Sequence, residues 1–457
     1  FSFHSATQTC EKRLLWKSLI EKQPCLILGV HLPILLPIAN LGLIIVDEEH
    51  EGGFKEKSHP RLNSKEVAVW RAKHYQIPIV LGSATPSVSS LVRVDAGHWQ
   101  RCRLQKRFAG TFPEVEVVSL REKKRRPEFW LTQQLKAAIQ SRLEKKEQTI
   151  VFINRRGHSF FTQCKTCGEI FECKNCSVSL TLHKKFDCEG LLRCHYCGYA
   201  SRIPQACSQC GAPAKEFLFK GIGTQRMVAI LQKEFPEARI KRADLDTASK
   251  KRAWQETVDA FYKGEIDILV GTQTLTKGYH FPNVTLVGIV WGDLDLNFPS
   301  YDARESALQQ LIQVAGRCGR ADGKKSEVII QTLSEDAIFK CVSEQKYEEF
   351  CKKEFAARKM CNYPPFARLI RIELRHKDGV VLAREAKTLT EALRRENSEL
   401  DAGISILGPA KPPVHRVRGV EALHILLKAN SFDSLHKVIG GVDLELFKAL
   451  IVFEVLL

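Results

Sequence analysis

The feature that most limits what this 457-residue chain can fold into is a set of four Cys-x-x-Cys pairs within residues 164–210. They are Cys164/Cys167, Cys173/Cys176, Cys194/Cys197 and Cys207/Cys210. Each pair is a bidentate thiolate hook, and two hooks complete one tetrahedral zinc site. Eight thiolates therefore predict two zinc ions. Sequential pairing would join the first two hooks across only five residues, a cramped loop. Nested pairing has better geometry: Cys173, Cys176, Cys194 and Cys197 as the inner site, Cys164, Cys167, Cys207 and Cys210 as the outer. Gly168, Gly198 and Gly211 follow three of the hooks, where a tight knuckle needs open backbone angles. Cys188 is left over with a structural role, and His183 and His195 are not needed once eight thiolates complete both sites. Closed sites make the zinc structural, which suits a DNA-strand guide or a protein-docking surface better than a reaction centre.

The remaining members of the 16 cysteines are scattered, unlike a disulfide scaffold. No secretory signal is visible, so a cytoplasmic setting is expected. No stretch reaches the ~18 apolar residues of a membrane span. The run 27–43 is broken by Gly29, His31, Pro33, Pro37 and Asn40 and suits a strand and loop. With 69 basic and 52 acidic residues the formal charge is +17, which points to nucleic acid as partner.

Around the cysteines the chain alternates strands and helices, the pattern of an α/β protein with parallel sheets. Strands are expected at 25–30, 43–47 and 77–82, with a helix over 63–75 presenting Val67, Trp70, Arg71 and His74 in step. Residues 1–100 form one lobe on this reading, and 101–130 a basic linker. A second lobe spans 131–335, interrupted by the Cys-rich insertion at 160–215. Its expected elements are a helix at 131–146, strands at 149–153, 217–220, 239–243, 267–270, 285–290 and 326–332, and helices at 223–234, 249–263 and 303–315. Residues 336–457 read as a small α+β domain, in which a charged helix over 335–358 precedes Asn362–Phe366.

Three segments carry chemistry. VDEEH (46–50) puts acids and a histidine at the carboxyl end of a strand, where open α/β sheets place ligands. Hydrolysis of a nucleoside triphosphate needs a carboxylate for magnesium, here Asp47, and a base for water, here Glu48. His50 would report the state of that site to its neighbours. LGSATP (81–86) ends the next strand, and its hydroxyls can bridge the carboxylates to the rest of the molecule. QVAGRCGR (313–320) closes a helix with Arg317 and Arg320 three apart, on one side of the helix end. An arginine aimed at a γ-phosphate stabilises transition-state charge.

Together with NRRG (154–157) and GTQTLTKGYHFPNV (271–284), these segments resemble the superfamily 2 helicases, and more narrowly the PriA family of replication-restart helicases. The resemblance runs from residue 1 to about 430, and the cysteine block directly after NRRG is its most specific mark. It implies two RecA-like parallel-sheet lobes, the first incomplete, an ATP-dependent 3′-to-5′ DNA helicase, and the same nested zinc pairing. On the matching positions it implies Asp47 and Glu48 as the magnesium and water-activating carboxylates, with Ser83 and Thr85 coupling hydrolysis to lobe movement. Thr272, Gln273, Lys277 and Gly278 would lie in the segment touching nucleotide and DNA. Gln313, Arg317 and Arg320 would face the nucleotide, one arginine serving as the finger. Phe54, Lys55 and Arg61 would fall in an aromatic-rich loop that senses single-stranded DNA, where Phe54 could stack on a base or pack on its own domain. Implied cofactors are ATP, Mg²⁺ and two structural Zn²⁺. Implied partners are branched and single-stranded DNA, the single-stranded DNA-binding protein and primosome proteins that load the replicative helicase; a monomer is expected.

The sequence has departures. No GxxxxGK[ST] phosphate loop occurs, and the chain starts at Phe1. In the resembled family that loop lies upstream of the position equivalent to Phe1, so an N-terminally truncated chain is expected. The alternative is a hydrolysis-deficient, zinc-stabilised DNA-binding and assembly module. GVHL (29–32) stands where the family usually has a GTRS-type turn, and Leu62 where it has tyrosine.

Overall fold

The computed structural model describes residues 1–56, 61–104, 111–121, 128–153, 162–174, 179–185, 188–194, 197–218, 222–243, 251–276, 281–296, 298, 300–318, 325–343, 346–412, 415–417 and 419–456. The chain divides into two compact units, Phe1–His98 and Trp99–Leu457.

In the first unit α1 (Thr9–Ile20), β1 (Ile44–Val46), α2 (Ser64–Tyr75), β2 (Ile79–Leu81) and α3 (Val88–Asp95) follow one another. β1 and β2 are parallel neighbours, with Ile45 beside Val80 and Val46 beside Leu81. Parallel strands need a crossover, and α2 supplies it. Asn63 starts that helix: its side-chain oxygen accepts from the backbone N–H of Lys65 (3.1 Å) and Glu66 (3.3 Å). Ile44 and Val46 bury against Ala68 and Ala72. The helix is where periodicity puts it, but the buried face is set by its alanines and Arg71, and Trp70 is 62% exposed. The strand expected at 25–30 is not one: Leu28 makes an isolated bridge to Ser2, and both Leu26 and Leu28 are exposed. An apolar run becomes a strand only where it finds a partner edge.

The second unit opens with β3 (Glu114–Ser119), α4 (Gln133–Glu144) and β4 (Gln148–Phe152). The Cys-rich segment carries β5 (Gln163–Cys164), β6 (Thr181–Lys185), β7 (Cys188–Arg193), β8 (Ala200–Arg202) and β9 (Phe217–Leu218). Next come α5 (Thr224–Glu234), β10 (Ile240–Ala243), α6 (Lys251–Tyr262), β11 (Ile268–Gly271) and β12 (Val284–Ile289). A short α7 (Asp293–Leu296), α8 (Ala303–Ala315) and β13 (Glu327–Thr332) complete this part. Among the described residues, six strands make one parallel sheet in the order β10–β11–β4–β12–β13–β3. β4, β11 and β12 are buried at every position, as central parallel strands covered on both faces must be.

Three expectations change here. The stretch 101–130 is not linker throughout, because Glu114–Ser119 adds to β13 in register, Glu114 beside Glu327 and Val118 beside Gln331. Its alternating Glu and Val mark a sheet-edge strand, a signal masked by the basic residues around it. The strand expected at 217–220 does not join the main sheet; Phe217 pairs antiparallel with Cys164 and closes the base of the Cys-rich module. The charged helix expected from 335 is the α-helix α9 (Tyr347–Met360), which follows a 3₁₀ turn at Ala337–Cys341.

After α9 (Tyr347–Met360) come β14 (Arg368–His376), α10 (Gly379–Glu399), β15 (Ser405–Ala410), β16 (Arg416–Val417), β17 (Val420–Ala429), α11 (Phe432–Gly440) and β18 (Leu450–Leu456). The strands form an antiparallel sheet, β15–β17–β14–β18 with β16 on β17. Ile370, Ile372, Ile425 and Leu427 of the sheet pack with Leu389 and Leu393 of α10 and Leu435 of α11. Among the described residues no helix is long and apolar enough to cross a membrane.

Candidate functional site

The loop after β1 is built around a residue that the sequence reading passed over. Glu49 is 3% exposed, and its carboxylate is a hub. It accepts from Lys65 Nζ (3.0 Å), the Ser87 N–H (2.6 Å), Ser87 Oγ (3.1 Å) and Ser90 Oγ (3.0 Å). Burial pushes this carboxyl up, but the Lys65 charge and the donated hydrogen bonds outweigh it and hold it below its ordinary value. The third acid of DEEH thus ties the loop to the first turn of α2 and the start of α3. With Glu49 turned inward, Asp47 stays exposed and Glu48 half-exposed at the strand end. Glu48 holds a left-handed backbone, φ 48°, and its N–H donates to Asp47 Oδ1 (2.9 Å). A non-glycine residue in that region is strained and persists where its surroundings determine it.

His50 joins the two strand ends. Its Nδ1 lies 2.6 Å from Ser83 Oγ and 3.6 Å from Glu48 Oε2. Burial holds the imidazole below its ordinary value despite the acids around it. Ser83 Oγ also accepts from the Thr85 N–H (2.9 Å), and Thr85 is fully buried. The β1–β2 pairing brings these groups together: it sets Gly82 beside Asp47, and the Glu49 N–H donates to the Gly82 carbonyl (3.0 Å). Of the two roles left open for Phe54, the structure shows packing on its own domain. Its ring is half-buried on the unit's own core and meets His31 edge-on at 6.3 Å. Lys55 bridges Asn63, and Arg61 is half-buried.

In the second unit Gln313 sits half-buried on the last turns of α8. That helix ends at Ala315, and the Gly316 N–H still reaches the Ile312 carbonyl (2.8 Å). Arg317 lies beyond the helix; Arg320, expected beside it on one side of the helix end, is outside the described residues. Thr272, expected to touch DNA, is 5% exposed, its N–H donating to Ala243 O (3.2 Å) and its carbonyl accepting from Leu275 N (2.9 Å). Gln273 starts a 3₁₀ turn and is half-buried. Lys277 and Gly278 lie outside the described residues.

The thiolates of Cys164, Cys167, Cys207 and Cys210 gather with all four sulfurs within 4.8 Å of one another. Cys164 Sγ to Cys210 Sγ is 3.8 Å and Cys167 Sγ to Cys207 Sγ is 3.5 Å. Zinc–sulfur bonds of about 2.3 Å put tetrahedral corners ~3.8 Å apart, so the set fits that ion. Cys173, Cys194 and Cys197 make a second group, Cys173 Sγ to Cys197 Sγ 3.7 Å; Cys176 is outside the described residues. Gly168, Gly198 and Gly211 have φ of 78°, 78° and 71°. Each donates its N–H back to the first cysteine carbonyl of its hook, at 2.9, 3.1 and 2.9 Å. The module is rooted on the main sheet. A Cβ on Gly168 would stand 2.1 Å from Leu333 O, just past β13. Buried Asp293 accepts there from Leu333 N, Ser334 N and Thr332 Oγ1, each at 2.8 Å, and burial pushes its carboxyl up.

Residues 173–202 match the PriA DNA helicase Cys-rich region (CRR) domain, 221–322 the helicase conserved C-terminal domain, and 359–442 the primosomal protein N C-terminal domain. Over 418 residues the chain is 37% identical to the replication restart protein PriA of Bacillus subtilis, covering 91% of this chain and 51% of that protein. It is 37% identical over 442 residues to that of Synechocystis sp., covering 94% and 52%, and 36% identical over 438 residues to that of Treponema pallidum, covering 95% and 64%. The chain belongs to the PriA family. It spans 51% to 64% of the length of these curated relatives. Within this PriA-family chain the matched Cys-rich region contains the inner hooks, while the outer hooks, Cys164/Cys167 and Cys207/Cys210, fall outside the match and are joined by the fold. Of the six-stranded sheet, β10, β11 and β12 fall within the helicase match, and β3, β4 and β13 lie outside it.

Proposed function

We propose that this chain carries hydrolysis-coupling and strand-handling parts of an ATP-driven DNA helicase of the replication-restart type, moving 3′ to 5′. The observation that carries the reading is the 2.6 Å contact between His50 Nδ1 and Ser83 Oγ, which links the DEEH and GSAT segments at the ends of two parallel strands. Asp47, exposed at its strand end, would hold magnesium through water, and that ion neutralises phosphate charge. Glu48 would orient the attacking water and take its proton. His50, held neutral at pH 7 by burial, would pass a change at Glu48 to Ser83 and so to the end of β2. Gln313, with Arg317 or Arg320, would stabilise charge on the γ-phosphate, as the family resemblance suggests.

Family membership supports DNA as the track and branched forks as the site of action. On this reading single-stranded DNA-binding protein and the proteins that load the replicative helicase are partners, and the protein acts as a cytoplasmic monomer. The two zinc sites keep a closed, structural role. The test is strand separation by the complete protein containing residues 1–457, on forks carrying a single-stranded tail of either polarity. ATP-dependent unwinding along the 3′-to-5′ direction is expected. Fork binding without hydrolysis or unwinding would overturn the reading in favour of a zinc-stabilised assembly module.

A further inference from the structure

Helix α8 runs from a buried ion-pair cluster to the segment holding Gln313 and Arg317. Arg358, on α9, is 3% exposed. Its Nη2 donates to Glu305 Oε2 in the first turn of α8 (2.7 Å), and its Nε donates to Glu354 Oε1 (2.9 Å). The other Glu305 oxygen accepts from Gln309 Nε2 (3.3 Å), which also donates to the Tyr347 hydroxyl (3.1 Å). The guanidinium lies 5.3 Å from the ring centre of Tyr301, and Tyr301 stacks on Tyr363 at 5.4 Å. Lys428 of β17 caps that stack, 4.3 Å from the Tyr363 ring. Glu305, Glu354, Gln309 and Tyr347 are all under 9% exposed.

Ala307, Leu308, Leu311 and Ile312 of α8 are buried and resist its withdrawal, but apolar burial is non-directional and gives the helix no hydrogen-bonded register of its own. The guanidinium is anchored through Nε to Glu354 on its own helix, which fixes the direction of the Nη2 bond to Glu305 on α8, because its donors sit in a rigid fork. Buried ion pairs add little net stability compared with apolar residues of the same size. Their distinctive effect is on geometry.

We propose that Arg358 is a positioning residue for hydrolysis: through Glu305 it sets the height and rotation of α8, and so the placement of Gln313 and Arg317. The proposal rests on the helicase reading above.

The test uses the complete protein containing residues 1–457 and measures DNA-stimulated ATP hydrolysis, forked-DNA affinity and melting temperature. Arg358→Lys keeps the charge and loses the fork. The neutral set Arg358→Met/Glu305→Gln/Glu354→Gln removes the clamp and leaves no orphaned buried charge. Both are expected to melt close to the unmodified protein and bind forks with unchanged affinity. Their kcat should fall about 10- to 100-fold, the scale of a small misplacement of catalytic groups, with less change in KM for ATP. Either folded variant hydrolysing at the unmodified rate would overturn the proposal. So would kcat falling only in parallel with lost melting temperature. No DNA-stimulated hydrolysis by the unmodified protein would overturn the helicase reading and this proposal with it, a result distinct from the first two.

Discussion

The loop after β1 and the Cys-rich module are each shaped by side chains converging on a centre, yet they are held by opposite means. The loop is held by protein alone, through Glu49 accepting four donors from Lys65, Ser87 and Ser90. The module is held by thiolates whose sulfurs already stand at zinc-tetrahedron spacing. Metal-held polypeptide depends on one strong centre, whose loss is felt at once. Polypeptide held by a buried carboxylate depends on several donors, and losing one leaves a charge without its full set of partners.

The largest break in that comparison is loss of a zinc ligand. Cys207→Ser should cost the module one of two bound zinc ions and its local fold, an effect on the order of 10 kcal/mol of metal-binding free energy. Metal analysis of the purified protein checks the stoichiometry, and a chelator should unfold the module while leaving the first unit's unfolding unchanged. Next is Lys65→Met, which leaves the Glu49 charge buried without its cation. It should destabilise the first unit by about 3–5 kcal/mol in denaturant while zinc content stays constant.

A third effect is acid sensitivity. Glu49 is held below its ordinary value of 4.5 in the folded protein. Its contribution is therefore fully present above that value and lost as pH falls through the lower folded value. Unfolding midpoints measured from about pH 6 down to about pH 3 should decline in the unmodified protein and decline less in Glu49→Gln. Glu373 offers a second case in the C-terminal domain: burial pushes it up, but His424 and Arg375 hold it at about 2, so its contribution survives to lower pH. The smallest stability effect is Ser83→Ala, about 0.5–1.5 kcal/mol for each of the two hydrogen bonds its hydroxyl makes, with His50 and the Thr85 N–H. On the present account it still uncouples hydrolysis from strand movement, so unwinding should fall further than stability does.

How legible each region is in sequence follows from the same contrast. Zinc ligands announce themselves because thiolate hooks are spaced locally, and the knuckle glycines lie beside them. The main-sheet strands are legible because central parallel strands carry short apolar runs, as at 150–152 and 268–270. Glu49 was hidden inside a run of acids. Its partners lie 16 to 41 residues away as ordinary lysine and serine. Arg358 was hidden the same way, 53 residues from Glu305. The edge strand at 114–119 carries half of its signal as exposed glutamate, which reads as linker. The apolar residues at 26 and 28 read as strand but find no long edge to extend. Local chemistry is visible in a sequence, whereas long-range polar pairing is set by the fold.

The central claim is that the exposed acids of DEEH act in hydrolysis while the buried one is structural. It is tested most directly by ATP hydrolysis of the complete protein on forked DNA, comparing the unmodified form with Glu48→Gln. The account predicts that Glu48→Gln loses at least about 100-fold in kcat, the scale of general-base catalysis, and keeps its DNA affinity, zinc content and melting temperature. Hydrolysis by Glu48→Gln at the unmodified rate would contradict it.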